Sequence, residues 1–223
     1  MDDPTLDPRE HVRALRGLER INALSRPVDA IWPALCRFAR LKASRPLRVL
    51  DVACGAGDLL AALARRARRR GVALELAGCD ISPTALAYAR SRAPTCELFL
   101  HDVIGHDLPA GYDVICSSLF LHHLSDAQAR TLLTRMSHAA TLGIIVNDLL
   151  RHVWGWRLAW VVTRLVSRSP VVHQDGPQSV AAAFTLDEVR ALAHSAGLTN
   201  VQLVRCWPFR FLLTWYRSHE ESA

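Results

Sequence analysis

The residues in this chain that could do chemistry begin with one acid and two glycines. In Val49-Leu50-Asp51-Val52-Ala53-Cys54-Gly55-Ala56-Gly57-Asp58 an apolar strand runs into a carboxylate and then into a turn that opens a helix. Glycines at 55 and 57 let the backbone approach a ligand with no Cβ in the way, and the helix N-terminus faces the same place. A dinucleotide fingerprint needs a third glycine, where this chain has Leu60. Asp51 would repel a pyrophosphate and attract an ammonium and a sulfonium, so charge favours S-adenosylmethionine over NAD. The glycines alone are equally compatible with a plain tight turn, so the neighbouring strand ends must decide.

Two more runs end in acids. Asp80 closes residues 72–80, 23 positions beyond Gly57, where it is placed to accept from ribose hydroxyls. Ser82 before Pro83 supplies a helix cap, which leaves Asp80 freer for a ligand. Asp102 closes 96–102 and could accept from an adenine amino group, although an aspartate there is more often a solvated turn residue.

For a hydroxyl acceptor, methyl transfer needs alignment and removal of a proton. His122 and His123 follow the fourth apolar run and are candidate bases; one of them is expected to pack or cap instead. Asp148-Leu149-Leu150-Arg151-His152 follows the fifth run, where Asp148 or His152 could orient or deprotonate an acceptor. Arg151 could hold a carboxylate or pair with Asp148.

These residues need a scaffold that brings strand ends together. The pattern predicts strands at 47–52, 73–79, 96–101, 112–117 and 142–148, with helices at 57–70, 83–92 and 125–139. Such alternation implies a parallel sheet with ligands at the carboxyl ends of its strands. Residues 9–42 read as one or two helices, broken near Pro27. A capping box of Thr185 and Glu188 opens a helix that ends at Gly197, and 200–206 with 211–216 reads as a hairpin at the sheet edge.

Between 149 and 184 the rhythm breaks in an insertion expected to carry specificity. Its segment 153–168 is rich in tryptophan, and Arg157, Arg164 and Arg168 fall within about 40° on one helical face. Three readings are open: packing on the core, a lid in which Trp154 contacts an apolar substrate, or an interfacial helix on a membrane. Three charges argue against a transmembrane span.

With 223 residues, half of them hydrophobic, the chain can form one domain around a full core. The net charge of +6 comes almost wholly from arginine, Lys42 being the only lysine. The cluster at 65–70 suits a solvated helix C-terminus, and no aromatic pattern for RNA accompanies it, so no nucleic-acid partner is expected. Six cysteines without C-x-x-C spacing read as small hydrophobes in a reducing compartment, with no metal site. The acidic N-terminus lacks the apolar stretch of a secretory signal, and a cytoplasmic location is expected, with peripheral membrane contact left open.

Taken together, VLDVACGAGDL, GCDIS, HDV and YDVICSSLFLHHL resemble the class I S-adenosylmethionine-dependent methyltransferases over roughly residues 45–148. The resemblance implies an α/β fold: a single Rossmann-like seven-stranded, mostly parallel sheet with helices on both faces and an antiparallel last strand. It further implies an N-terminal helical lid within 1–44, a cofactor core at 45–148, an insertion at 149–184 and a C-terminal helix and strand pair at 185–223. Asp51 with Ala53, Cys54, Gly55 and Gly57 would hold the methionine part, Asp80 with Ile81 the ribose, and Asp102 with Val103 the adenine. Ser117 would lie near the methionine end. Ala53 stands where many members have glycine. LFLHHL is also similar to quinone-biosynthesis and polyketide-tailoring methyltransferases. O-methylation of a small, apolar, phenolic or lipid-like acceptor is the expectation. Ring C-methylation is the alternative, and a cofactor-binding module without turnover, at a membrane or nucleic acid, is the reading from another class.

Overall fold

The computed structural model describes residues 27–42, 44–166 and 170–218. Seven strands form one sheet in the order β3-β2-β1-β4-β5-β7-β6. They are β1 (Leu47–Val52), β2 (Leu74–Asp80), β3 (Glu97–Leu100), β4 (Tyr112–Ser118), β5 (Ala140–Leu149), β6 (Gln202–Cys206) and β7 (Arg210–Tyr216). The first five are parallel, and β7 enters antiparallel between β5 and β6, so the hairpin places only β6 at the edge. Gly143 on β5 permits that insertion, because a Cβ there would meet the Trp215 carbonyl oxygen of β7 at 2.1 Å.

Helices cover both faces. On one lie α1 (Pro27–Leu41), α2 (Asp58–Arg70) and α3 (Pro83–Arg92), whose Ile31, Phe38, Leu60 and Leu86 pack with Val49, Val114 and Ile145. On the other lie α4 (Asp126–Ala139) and α7 (Leu186–Ser195), whose Leu132, Met136 and Val189 pack with Leu50, Ile115 and Ile144. Successive strand residues point to opposite faces, so both sides of these strands are apolar, as a parallel sheet covered twice requires. α1 is thus a core helix on the sheet, Phe38 stacking on Tyr216 at 4.5 Å between centroids. The part of the expected N-terminal lid before Pro27 lies outside the described residues.

Local chemistry sets the helix ends. Ser82 caps α3 by accepting from Ala85 N–H at 3.2 Å, and Ser125 with Gln128 forms a capping box on α4. The expected Thr185 and Glu188 box is present on α7. The arginines at the end of α2 stand at its negative terminus, where Gly71 closes the helix at φ 65°. All six cysteines are free thiols.

The insertion differs from its sequence reading by containing two helices, α5 (Val153–Val166) and α6 (Pro170–Ala182), where one was expected. They pack on each other at Gly176, where a Cβ would meet Thr163 Cγ2 at 2.4 Å. The pattern of 170–182 is weak because Pro177 interrupts it. α6 also contacts the 3₁₀ turn Leu121–His123 that follows β4.

Candidate active site

The strand order reverses between β1 and β4, which opens a crevice beyond their carboxyl ends. Register places Asp51 beside Cys116 and Val52 beside Ser117. Asp51 is 2% exposed, and its Oδ1 has no hydrogen-bond donor among the described residues. Burial, with a smaller contribution from the Asp80 charge, pushes its carboxyl well above the usual range. Ser117 Oγ is likewise buried without a partner among the described residues. Two such orphaned polar atoms at one switch point are costly in isolation and suit a polar, cationic ligand.

The turn after β1 holds three residues in the left-handed region: Ala53 (φ 54°), Gly55 (φ 52°) and Gly57 (φ 73°). The two glycines serve different ends. A Cβ at Gly55 would meet nothing within 4 Å, leaving its backbone open to a ligand, whereas one at Gly57 would sit 3.0 Å from Ala89 Cβ on α3. Ala53 keeps the same sign of φ at a cost of about 1 kcal/mol for an L-residue. Cys54 N–H donates to the Cys79 carbonyl at 2.9 Å, which ties the turn to β2, and burial pushes the Cys54 thiol up and out of reactivity.

Asp80 is more engaged than its sequence position suggested. Oδ2 accepts from Gly55 N–H at 2.8 Å and Oδ1 from Ser82 N–H at 2.9 Å, so it braces the glycine turn as well as facing the crevice. Ile81 beside it is 67% exposed, an apolar surface next to the acid. Asp102 lies two residues beyond β3, where Oδ1 accepts from Ile104 and Gly105 N–H, both at 2.9 Å. Those backbone donors lower its carboxyl below the usual range. Val103 is buried, and Arg135 clamps its carbonyl at 3.1 Å.

The second half of the site joins β4 to β5. Leu119 takes φ 57° while its N–H donates to the Asn147 carbonyl at 3.0 Å, and the chain then swings into the 3₁₀ turn. This brings His122 Nδ1 to 2.6 Å from Asp148 Oδ1, with both side chains buried. Burial opposes the imidazolium, but the Asp148 charge and hydrogen bond, helped by Asp175, raise the His122 value above its ordinary one. Burial likewise opposes the Asp148 anion, but the His122 charge and hydrogen bond, with the Leu149 N–H and Arg210, hold its carboxyl below the usual range. His123 is exposed, its ring 4.1 Å from that of His122.

Three polar residues of this cluster were missed in the sequence. Arg210 is 3% exposed, donates to Asn147 Oδ1 at 3.3 Å, and burial brings its guanidinium down to about 10. Asn147 Nδ2 donates to the Phe211 carbonyl at 2.8 Å, and Asp175 on α6 acts electrostatically on His122. An arginine at the head of an apolar strand was the available signal for Arg210; α6 gave none.

The residues just after β5 separate from the dyad. Arg151 pairs with Glu188 on α7 and not with Asp148. His152 stacks on Phe209 at 5.1 Å and its Nδ1 accepts from Trp154 N–H at 3.2 Å, which makes it the cap of α5. Trp154 is exposed and lines an open apolar depression with Leu158, Val161 and Phe209.

Residues 49–143 match the family model described as a methyltransferase domain. An uncharacterized methyltransferase of Mycobacterium tuberculosis is 31% identical over 202 residues, covering 84% of this chain and 98% of that protein, and one of Mycobacterium bovis matches equally. Among solved structures, the plantazolicin methyltransferase BpumL with S-adenosylhomocysteine is similar at TM-score 0.72 and 16% identity, covering 95% of this chain and 91% of that one. Human N-acetylserotonin methyltransferase with S-adenosylmethionine is similar at TM-score 0.68 and 16% identity, covering 96% and 57%. Such identities speak to the fold; the mycobacterial relatives, matched over nearly their whole length, speak to the family. A buried acid at the end of β1 with one oxygen lacking a donor among the described residues, a glycine turn open to the crevice and these relatives lead to one conclusion: the chain belongs to the class I S-adenosylmethionine-dependent methyltransferases.

Proposed function

We propose that the enzyme O-methylates a small, largely apolar acceptor of phenolic or lipid-like character, with His122 as the base. The observation that carries this reading is the 2.6 Å contact between His122 Nδ1 and Asp148, a buried pair formed just beyond the carboxyl end of β4 and at the carboxyl end of β5. Bound S-adenosylmethionine supplies an electrophilic methyl group on a sulfonium. Asp51 would accept from its ammonium and offset the positive charge, Ala53, Cys54, Gly55 and Gly57 would hold the methionine part with Ser117, Asp80 with Ile81 would hold the ribose, and Asp102 with Val103 the adenine.

With Nδ1 committed to Asp148, the second ring nitrogen of His122 receives the acceptor's hydroxyl proton, and Asp148 stabilises the imidazolium that results. His123 flanks the ring. His152 and Arg151 position the insertion through the α5 cap and the Glu188 pair, and Trp154 contributes an apolar wall for the acceptor. Two solved relatives, named for plantazolicin and N-acetylserotonin, support a small-molecule acceptor.

The test is incubation of the purified enzyme with labelled S-adenosylmethionine and paired phenols, quinols and fatty acids, each beside its O-blocked analogue, followed by mass spectrometry. Label on oxygen of a free hydroxyl, and none on the blocked analogue, is the expected result. Label on ring carbon would replace this reading with C-methylation, and cofactor binding without turnover of any acceptor would replace it with the binding module.

A further inference from the structure

Exposed apolar side chains crowd α5, a helix that none of the proposed cofactor contacts uses. Trp154, Val161 and Leu165, the last 80% exposed, share one flank of it and Trp156 and Trp160 the other, with Arg157 and Arg164 between them. The adjoining β6–β7 turn carries Trp207, 75% exposed. That turn packs against the helix, since a Cβ at Gly155 would lie 3.0 Å from Phe209 Cβ. Exposed apolar surface gathered in this way marks a place where something docks.

Its charge pattern says what. Arg157 lies over the Trp154 ring at 4.7 Å and Arg164 over the Trp160 ring at 4.0 Å, so cations and indoles share one surface. No acid occurs from Leu149 through Gln174, nor from Val189 through Ser218, although Arg151, Arg157, Arg164, Arg168 and Arg205 fall in those stretches. A second copy fits poorly, since a two-fold contact would set these arginines against themselves with no acid in the face to meet them. Tryptophan and arginine together suit the headgroup boundary of a bilayer, where indoles sit at the interface and guanidinium groups meet phosphates. None of the described helices is long and apolar enough to cross a membrane, so the helix would lie on the surface.

We infer that α5 and the Trp207 corner dock the enzyme on an anionic lipid bilayer. The depression between Trp154, Leu158, Val161 and Phe209 opens on this same face. An acceptor dissolved in the bilayer would therefore reach the insertion without crossing water. That consequence rests on the proposed apolar acceptor, while the docking itself does not.

The test is sedimentation of the full chain with vesicles of phosphatidylcholine alone and of phosphatidylcholine mixed with phosphatidylglycerol. Binding to the anionic vesicles only, weakening as salt shortens the screening length, is expected. Arg157→Gln and Arg164→Gln should each weaken it about 5-fold, the size of one headgroup contact. Leu165→Ser and Trp207→Ser should reduce it as well, and brominated acyl chains should quench the tryptophan fluorescence of the unaltered protein. Calorimetry with S-adenosylmethionine should give the same affinity for all four variants, which separates failure of docking from failure of the methyl-transfer reading. Absence of pelleting with anionic vesicles, equal binding by the arginine variants, or a dimer in light scattering that Leu165→Ser dissociates would each overturn the inference.

Discussion

Asp51→Asn should make the cofactor-free enzyme more stable and the cofactor weaker, two effects of opposite sign from one change. The wild-type side chain is buried with one oxygen lacking a donor among the described residues, and burial then the Asp80 charge push its carboxyl up. Asparagine leaves a polar atom in the same place but has no proton to hold, so the gain is about 1.4 kcal/mol for each pH unit over which the folded acid stays protonated and the unfolded one does not. In a domain of this size each such unit raises Tm by roughly 3–6 °C. Loss of a charged hydrogen bond to the cofactor ammonium, about 1.5–3 kcal/mol, weakens binding roughly 10- to 150-fold.

The pH dependence follows from the same shift. Below the ordinary aspartate range both folded and unfolded chains hold the proton and the acid exacts no penalty. As pH rises past that range, the unfolded chain releases the proton while the folded one retains it, so wild-type stability falls until the raised folded value is passed. The gap between variant and wild type therefore widens with pH over that interval. Saturating cofactor reverses the order, since it stabilises the wild type by about 2.7 kcal/mol at a hundredfold excess over Kd. Melting curves from acid to neutral pH with calorimetry measure all of this. A variant that melts lower at every pH and binds the cofactor normally would refute the argument, because Asp51 would then have a protein partner and no ligand.

Turnover with a hydroxyl acceptor should rise with pH through a value above the ordinary histidine range, because His122 must be neutral to act and Asp148 holds its proton. His122→Ala should lower turnover about 10²- to 10⁴-fold and remove that rise while leaving cofactor affinity unchanged; undiminished turnover would exclude the role. The pair's own stabilisation has two limits, being lost as pH rises through the raised His122 value and lost again as pH falls through the lowered Asp148 value. Gly176→Ala forces a methyl against the buried, stiff Thr163 and should loosen α5 from α6 by about 1–3 kcal/mol. Hydrogen exchange should show faster α5 amides with an unaltered sheet, and unchanged exchange in α5 would mean that this contact does not hold the insertion.

The strand ends and the glycine turn proposed to hold the cofactor were legible in the sequence as local structure. A two-glycine turn after an apolar run, and acids closing successive strands, are consequences of period and turn chemistry that need no tertiary contact to be read. The same logic located β1, α2, α3 and the capping box of α7 to within a residue or two. What the chain did not disclose is how those acids are used. Asp51, Asp80 and Asp102 look alike in sequence, yet only the fold leaves one Asp51 oxygen without a donor among the described residues while giving Asp80 and Asp102 two backbone N–H groups each. Arg151 and Asp148 are neighbours in the chain, but β5 ends between them, so one turns to α7 and the other to His122.

Arg210 and Asp175 reach the dyad from 62 and 27 residues beyond Asp148, distances in sequence that only the antiparallel insertion of β7 and the return of α6 can close. Likewise the spacing of the α5 tryptophans, at 154, 156 and 160, puts them on more than one side of the helix and names no buried face. Whether they face a core or the solvent depends on what packs over them, and the described structure places α6 on one side and leaves the other uncovered. Local pattern thus determined which elements form and where a cofactor turn lies; partner choice between residues far apart, and the exposure of a face, were decided by packing.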